Sequence, residues 1–485
     1  MLGIGIIIFF AIMAIGAPLL TPFQPTGPGS EWLSGRTVVP AWMKYLPGGE
    51  NLSENMNPIK DPYFNEPSSL REWTTTTSST EKRFFIQYVA GMGKSVTDLG
   101  SISVTYYREK EEAPLGTINI TLSKQFYYPY KGPPAKFDCD VAVLVEGAEN
   151  IPVKVVVFLR QDFGENKTLE WGLERNWAFG FFTKTLTSWA TPRPPISSTA
   201  SESIRAQHFG TQEDLAKLIF TGSGNYSFGV TLIFSDSAIN TKVETTVYID
   251  DLNIVLWGTC FGLLGTDNWG GDVFTKLVYG ARVSLYVGLL SAFLSIVIGL
   301  AFGLVAGYAG GGVDELMMRF TDILLVLPGL PLLMILMTVF GSTINNLIIV
   351  IGLLGWMGFA RVIRAQVLSL KERAYIEAAK AIGASELHIL TRHVLPNVMG
   401  LVYVSLALEV PAAIVLEASL SWLGFYDPNI MSWGRMLYDV QATGSYTAWW
   451  WVVPPGICIA LLSLSFILLG YAIDEILNPK LRIRR

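Results

Sequence analysis

Apolar positions crowd the first twenty residues and the second half of the chain, and the roughly 235 residues between them are polar and aromatic. Leu2 to Leu20 carries no charge. Five further apolar stretches follow, at about Ser284 to Tyr308, Ile323 to Phe340, Leu347 to Val362, Asn397 to Leu423 and Trp449 to Ile473. Stretches of this kind are long enough, or nearly so, to cross about 30 Å of hydrocarbon as helices. The first lacks a basic n-region and a small-x-small cleavage site before Thr21, which favours a retained helix over a signal peptide.

The intervening segment follows a different period. Phe84 to Val89, Ser101 to Arg108, Thr117 to Ser123, Asp138 to Glu146, Val153 to Arg160, Ser227 to Phe234 and Val243 to Trp257 are β-branched or aromatic runs, several alternating with period two. Short strands of this kind predict an antiparallel sandwich. Leu186 to Ser203, with Pro192, Pro194 and Pro195, reads as a loop, and Thr211 to Asp214 as the cap of one short helix ending at Phe220. Residues 22 to about 80 show little periodicity.

The expected organisation is therefore a polytopic α-helical membrane protein carrying a mainly-β inserted domain. Helix 1 occupies 1–21, the β-rich domain 22–257, an amphipathic connection 258–283, and the membrane core 284–479. A loop at 364–396 lies within that core, and a basic tail closes the chain at 480–485. Six crossings put both termini on one side. Arg319, Arg361, Arg364, Lys371, Arg373, Lys380, Arg392, Lys480, Arg482, Arg484 and Arg485 fall on that side, and the opposite short loops offer only Arg435. Positive charge marks the cytosolic face, so both termini are expected there and residues 22 to about 270 outside. Trp449, Trp450 and Trp451 then fall where an interfacial aromatic belt belongs. Four sequons, at Asn51, Asn119, Asn166 and Asn225, lie in the outer segment and are candidate glycosylation sites.

Composition narrows the function classes. The chain is 51% hydrophobic and 15% charged with net charge −5 and no long basic run, which argues against a nucleic-acid partner. Cys139, Cys260 and Cys458 are far apart and odd in number, and His208, His388 and His393 are the only histidines, so neither a disulfide framework nor a metal centre is indicated.

The densest chemistry is in the loop after the fourth stretch, Tyr375 to Asn397. Glu377 to Ile382 favours helix, Gly383 can end it in the left-handed conformation, Ser385 can cap a second helix with Glu386 in its first turn, and Pro396 is expected to stop or kink the chain at the membrane. A short, partly apolar helix held between tight turns fits a partner's groove.

Glu377-Ala378-Ala379, three residues, Gly383, eleven residues, then Leu395-Pro396 resembles the EAA motif of ABC-import permeases. Gly265-Thr266-Asp267, Tyr279 to Leu285, Val313 to Glu315, Arg361 to Glu377, Glu417 to Ser421 and Ser432 to Gly434 are similar to the C-type permease of the oligopeptide/dipeptide (Opp/Dpp) importers. The likeness covers residues 1–21 and about 258–485. It implies a type I importer permease fold and a homologous B-type second permease subunit. It also implies two cytosolic ATP-binding subunits, which hold the ATP and Mg, and an extracytoplasmic solute-binding protein. Catalytic residues are not expected in this chain. Its ATPase-coupling residues would be Glu377, Ala378, Ala379, Gly383, Ala384, Ser385, Glu386, Leu387, Leu395 and Pro396. Two departures stand out: Gly270-Gly271-Asp272 replaces Gly-Arg-Asp, and the basic stretch that usually precedes the first helix is missing, as if the start were clipped. The family's short outer loop gives no account of the domain found here.

Sharper readings compete with bland ones elsewhere. Gly91-Met92-Gly93-Lys94-Ser95 resembles the end of a phosphate loop, but the first glycine would fall at Tyr88 and the segment is expected outside the cell, so nucleotide binding is not expected there. Glu409 and Glu417, eight residues apart in the fifth apolar stretch, either line the translocation path or are locally paired. Asp314, Glu315, Arg319 and Asp322 either bridge to the coupling loop or form a solvated face. Pro328, Pro331, Pro411, Pro454 and Pro455 mark kinks or mere packing. Tyr248-Ile249-Asp250-Asp251 is similar to the last strand of carbohydrate-binding sandwiches, and Trp171, Trp177 and Trp189 either stack on sugars or fill a core. Peptide is the expected cargo. Oligosaccharide import, a membrane-anchored receptor and an ion-driven carrier using Glu409 stay open as alternatives.

Overall fold

The computed structural model describes residues 1–477 other than 80–82, 96, 150, 172–180 and 193–195. Trp177, Pro194, Pro195 and the basic tail with Lys480, Arg482, Arg484 and Arg485 lie outside the described residues. Two compact units are present, one made of Met1–Leu33 with Gly262–Arg485 and the other of Ser34–Phe261.

The chain begins with helix α1 (Leu2–Ile15) and, after a break at Gly16, α2 (Ala17–Leu20). Fourteen residues of helix rise only about 21 Å, so the expected uninterrupted crossing from Leu2 to Leu20 is not formed. Pro18 sits in the first turn of α2, where its missing N–H costs nothing.

The second unit holds strands β1 (Thr74–Thr77), β2 (Phe84–Ala90), β3 (Gly100–Arg108), β4 (Gly116–Tyr128), β5 (Lys136–Glu146), β6 (Val153–Gln161), β7 (Thr168–Trp171), β8 (Phe181–Phe182) and β9 (Ile196–Ser197). Helices α3 (Glu202–Phe209) and α4 (Leu215–Ile219) and strands β10 (Gly224–Asp236) and β11 (Val243–Trp257) complete it. All seven expected strands form, and four short ones join them. They make two antiparallel sheets, β1-β4-β10-β6-β7 with β8 beside β6, and β2-β3-β11-β5-β9. Alternation explains the pairing: Val153, Val155, Val157 and Leu159 of β6 and Tyr226, Phe228, Val230, Leu232 and Phe234 of β10 are all fully buried on one face. Inside, Arg108 of β3 pairs with Asp236 of β10, Nε to Oδ2 at 2.8 Å, and the Tyr106 hydroxyl donates to the same oxygen at 2.7 Å. A buried charge pair is tolerable here because each sheet satisfies the other's partner. Asp214 caps α4 by accepting from the Ala216 amide at 2.9 Å, so the cap lies three residues beyond Thr211. The expected Leu186–Ser203 loop includes β9, and Ala190 pairs with Val143, because its apolar Ile196 has a sheet edge to cover.

The first unit continues with α5 (Val273–Ala309), α6 (Gly311–Val326), α7 (Gly329–Phe340), α8 (Ile344–Lys371), α9 (Ala374–Ala381), α10 (Glu386–Ile389), α11 (Leu395–Trp422), α12 (Trp433–Thr443) and α13 (Trp449–Leu477). Four helices among the described residues are long and apolar enough to cross a membrane: Val273–Ala309, Ile344–Lys371, Glu386–Trp422 and Trp449–Leu477. The expected single stretch Ile323–Phe340 is instead α6 and α7, bent by 90° at Leu327-Pro328. Proline lacks the donor that would continue the ladder and forces Leu327 into extended backbone (φ −68°, ψ 136°). Pro411, Pro454 and Pro455 lie inside continuous helices. The expected connection 258–283 is shorter than read, since α5 already starts at Val273, capped by Asp272.

Helices α5 and α8 form the densest pair of this unit, and the sequence reason is a row of small residues. Gly299, Gly303 and Gly307 recur every four positions, and a Cβ on each would stand 2.6 to 2.8 Å from α8: from Trp356 O, Ala360 O and Val367 Cβ. Where lipid removes the hydrophobic drive for helix association, close approach of backbones supplies the contact. Trp450 and Trp451 are packed inside, with Trp450 Nε1 donating to Thr266 O at 3.2 Å. Only Trp449 of the expected aromatic belt is exposed, because the strictly internal positions at the start of α13 face α12 and the Thr266 turn.

Candidate functional site

The loop 364–396 is built outward from α8. Lys371, at its C-terminus, donates to the Tyr308 carbonyl at 2.6 Å, and the Lys380 ammonium lies 5.7 Å over the Tyr308 ring, which ties α9 to the end of α5. One side of the loop is core. Ile376, Ala379, Ile389 and Val394 are buried with Ile363, Val367, Leu370 and Val398. The other is bare: Glu377, Ala378, Ser385 and Glu386 are exposed, and Ile382 and Leu387 keep 86% and 73% of their surface.

Local structure follows the residue types. Gly383 has φ +85°, the left-handed turn that stops α9, with open space around its α-carbon. Ser385 Oγ accepts from the His388 amide at 3.4 Å, at the start of α10. Pro396 departs from expectation. Helix runs from Glu386 straight through it to Trp422, because Leu390–Val394 forms a π-turn in which the Leu395 amide donates to the Leu390 carbonyl five residues back. That wider turn absorbs the group a proline leaves unpaired. Leu395 is half-buried and Ala384 partly so. The expected separate helix is the free end of a long one.

Two acidic residues of α6 reach this framework. Arg364 grips Asp314 through two bonds, and Arg361 pairs with Asp322. Glu315 and Arg319 pair only along their own helix, at 3.7 Å and largely exposed. Bridges therefore form at two of the four expected positions, to α8 and not to the loop tip.

Glu409 and Glu417 part company. Glu409 is half-buried, accepts from Ser295 of α5 at 3.3 Å and faces Gly355 of α8. Glu417 is 3% exposed, and its Oε1 accepts both Ser421 Oγ at 2.8 Å and Ser432 Oγ at 2.7 Å while Oε2 has no partner. It ties the end of α11 to the cap of α12, whereas Glu409 meets α5 and α8. Spacing of eight sets positions on a helix; neighbouring elements decide what each meets.

In the other unit, Lys94 of the phosphate-loop-like segment pairs with Asp251, and its amide donates to Asp250 Oδ2 at 2.8 Å. Burial pushes the Asp250 carboxyl up to about 6, against the pull of the Lys94 and Asp251 amides. The Lys94 charge is thus already answered by carboxylates. Trp171 is core, at 2% exposure, and Trp189 is partly buried. Asn51, Asn119, Asn166 and Asn225 are all exposed. The cysteines are unpaired.

A site the sequence reading missed lies in the membrane unit. Asp267 is fully buried, accepts the Trp269 and Gly271 amides at 2.8 and 2.9 Å, and pairs with Lys276. Beside it is a cavity of about 310 Å³ reached by Lys276, Arg435 and Asp439. The Gly-Thr-Asp run was the available signal; Asp439 gave none.

Comparison with known proteins bears on part of the chain. The family model described as binding-protein-dependent transport system inner membrane component matches residues 299–483. The dipeptide transport system permease protein DppC of Bacillus subtilis is 41% identical over 219 residues, covering 45% of this chain and 68% of that protein. The oligopeptide transport system permease proteins OppC of Bacillus subtilis and Haemophilus influenzae are 39% and 40% identical, each over 45% of this chain and over 72% and 71% of their own lengths. With so much of those permeases spanned at that identity, this chain belongs to the family of binding-protein-dependent transport system inner membrane components.

Proposed function

We propose that the chain is one permease subunit of an ATP-driven peptide importer, and that the 377–396 segment is where a separate ATPase engages it. The observation that carries this is the bare outer side of the loop. Ile382 and Leu387 expose apolar surface on either side of a glycine turn, over a buried and cross-braced inner side. Exposed aliphatic side chains on a rigid frame are costly unless a partner covers them. The relatives, named for dipeptide and oligopeptide transport, favour peptide cargo.

In this reading six crossings form, with α1–α2 as one and the bent α6–α7 pair as another, in a type I importer arrangement. Both termini are cytosolic, and residues 22 to about 270 are outside, where the four exposed asparagines are candidate glycan acceptors. A second, B-type permease completes the path, two ATP-binding subunits hold ATP and Mg, and an extracytoplasmic binding protein delivers cargo. The chain itself hydrolyses nothing. Glu377, Ala378, Ala379, Gly383, Ala384, Ser385, Glu386, Leu387, Leu395 and Pro396 make up the coupling segment. ATP can bias two membrane conformations only if they differ in contact with the ATPase, which makes the loop a mechanical link. Glu409, the half-buried acid among α5 and α8, lines the path.

The test is reconstitution of all subunits in liposomes with a labelled tripeptide. ATP-dependent uptake that is lost in Leu387→Asp, with assembly intact, is expected. Uptake driven by a proton gradient without ATP would replace the reading with an ion-driven carrier. Uptake of oligosaccharide but not peptide would change the cargo.

A further inference from the structure

The cavity beside Asp267 contains two unanswered groups. Asp439 of α12 is 6% exposed, yet its carboxylate accepts no hydrogen bond and makes no ion pair with any described residue. One helical turn earlier, Arg435 gives Nη1 to Pro428 O and Ile430 O at 2.8 and 2.9 Å, and its Nε is buried without an acceptor. The other charges nearby are accounted for or exposed. Lys276 is held by Asp267, and Glu31 at the rim is exposed. Trp269 and Tyr426 supply ring surface, with the Arg435 guanidinium 5.2 Å over Tyr426. Buried polar groups without partners are uncommon in folded proteins, because each forfeits its bonds to water. Residues four apart on one helix share a face, so the Asp439 acceptor and the Arg435 side chain stand on one wall of the cavity.

Resting on the peptide-importer reading, we infer that this cavity binds the amino-terminal residue of a peptide, its ammonium group on Asp439 and its first carbonyl on Arg435. Both residues line the cavity, one an acceptor for an α-ammonium and the other a donor to the carbonyl three bonds away. About 310 Å³ holds one residue, and the rings give its side chain an apolar contact. A free carboxylate group on the ligand would meet Asp439 and be repelled, so the cavity reads the amino end. Burial raises the Asp439 carboxyl to about 6, against the pull of Arg435 and Lys276, so binding weakens as pH falls below that value and the acceptor charge is lost.

The test uses the full chain in lipid nanodiscs without binding protein or ATPases, and radiolabelled trialanine in equilibrium dialysis. Saturable binding is expected, weakened at least tenfold by N-acetylation of the probe and by Asp439→Asn, and weaker at pH 5 than at pH 7. Far-ultraviolet circular dichroism and elution volume show whether Asp439→Asn is folded; Arg435→Gln, expected to weaken trialanine severalfold, is the second variant. Absence of saturable binding, or equal binding of N-acetyl-trialanine, overturns the inference. Equal binding of N-acetyl-lysine amide overturns it in favour of a basic side chain from a docked protein. Peptide uptake by the complete importer is measured separately. Loss of uptake alone defeats the importer reading, and loss of nanodisc binding alone defeats only this site.

Discussion

Arg364 of α8 holds Asp314 of α6 in a two-pronged grip, Nε to Oδ1 at 2.5 Å and Nη2 to Oδ2 at 2.6 Å. Asp314 is mostly shielded, with 13% of its side chain exposed, so this pair is stronger than an ordinary surface bridge. Asp314→Asn, Arg364→Gln and the double variant, compared by thermal unfolding in detergent, should show a coupling of about 1 kcal/mol. Strict additivity would mean the grip holds nothing.

At Gly383 the backbone alone decides, since nothing lies within 4 Å of the position a Cβ would take. With φ at +85°, side chains should be tolerated in the order Asn, Ala, Val, with Val costing about 1–2 kcal/mol locally. Cargo-stimulated ATPase activity of the assembled importer should fall in the same order. Full activity in Gly383→Val would show that the turn can relax without consequence.

Close approach of α5 and α8 makes Gly303 the sensitive point of the membrane unit. A Cβ there would stand 2.6 Å from Ala360 O and 2.7 Å from Ile363 Cβ. Gly303→Val should sharply lower the yield of monodisperse protein, whereas Val305→Ala, at a position 47% exposed, should leave it near wild type. Comparable yields from both would remove the glycine seam as the basis of this pairing.

The two membrane glutamates should separate experimentally. Ser432→Ala strips one of two donors from the buried Glu417 carboxylate and should lower stability by about 1–2 kcal/mol. Glu409→Gln should leave melting unchanged while altering uptake kinetics. Destabilisation by Glu409→Gln with normal transport per folded molecule would take that residue out of the path.

Asp439 gives a pH dependence with a definite sign. Its folded-state carboxyl sits at about 6, above the ordinary value of 3.8, because of burial. The folded state therefore binds the proton more tightly than the unfolded chain. Stability contributed by this group is greatest below about pH 4 and is lost as pH rises through 6, by about 3 kcal/mol at most. Melting in detergent between pH 4 and 7 should show this slope, and Asp439→Asn should flatten it. An unchanged slope in that variant would assign the dependence to another group.

Periodicity in the sequence determined the seven main strands and where the long apolar helices lie, because alternation with period two and unbroken apolar runs bury one face or all faces whatever the partner. It also determined the turn at Gly383 and the cap at Ser385, which depend on a residue's own backbone and near neighbours. Tertiary structure decided the rest. Leu327-Pro328 became a right-angle bend while Pro396 was carried through a π-turn, since a proline's effect depends on what the surrounding helices satisfy. Glu417 was drawn to Ser432, fifteen residues away, and Trp451 into the interior, by packing that no local pattern encodes. Asp439, ordinary in sequence, is left without a partner only by the way the surrounding elements close around it.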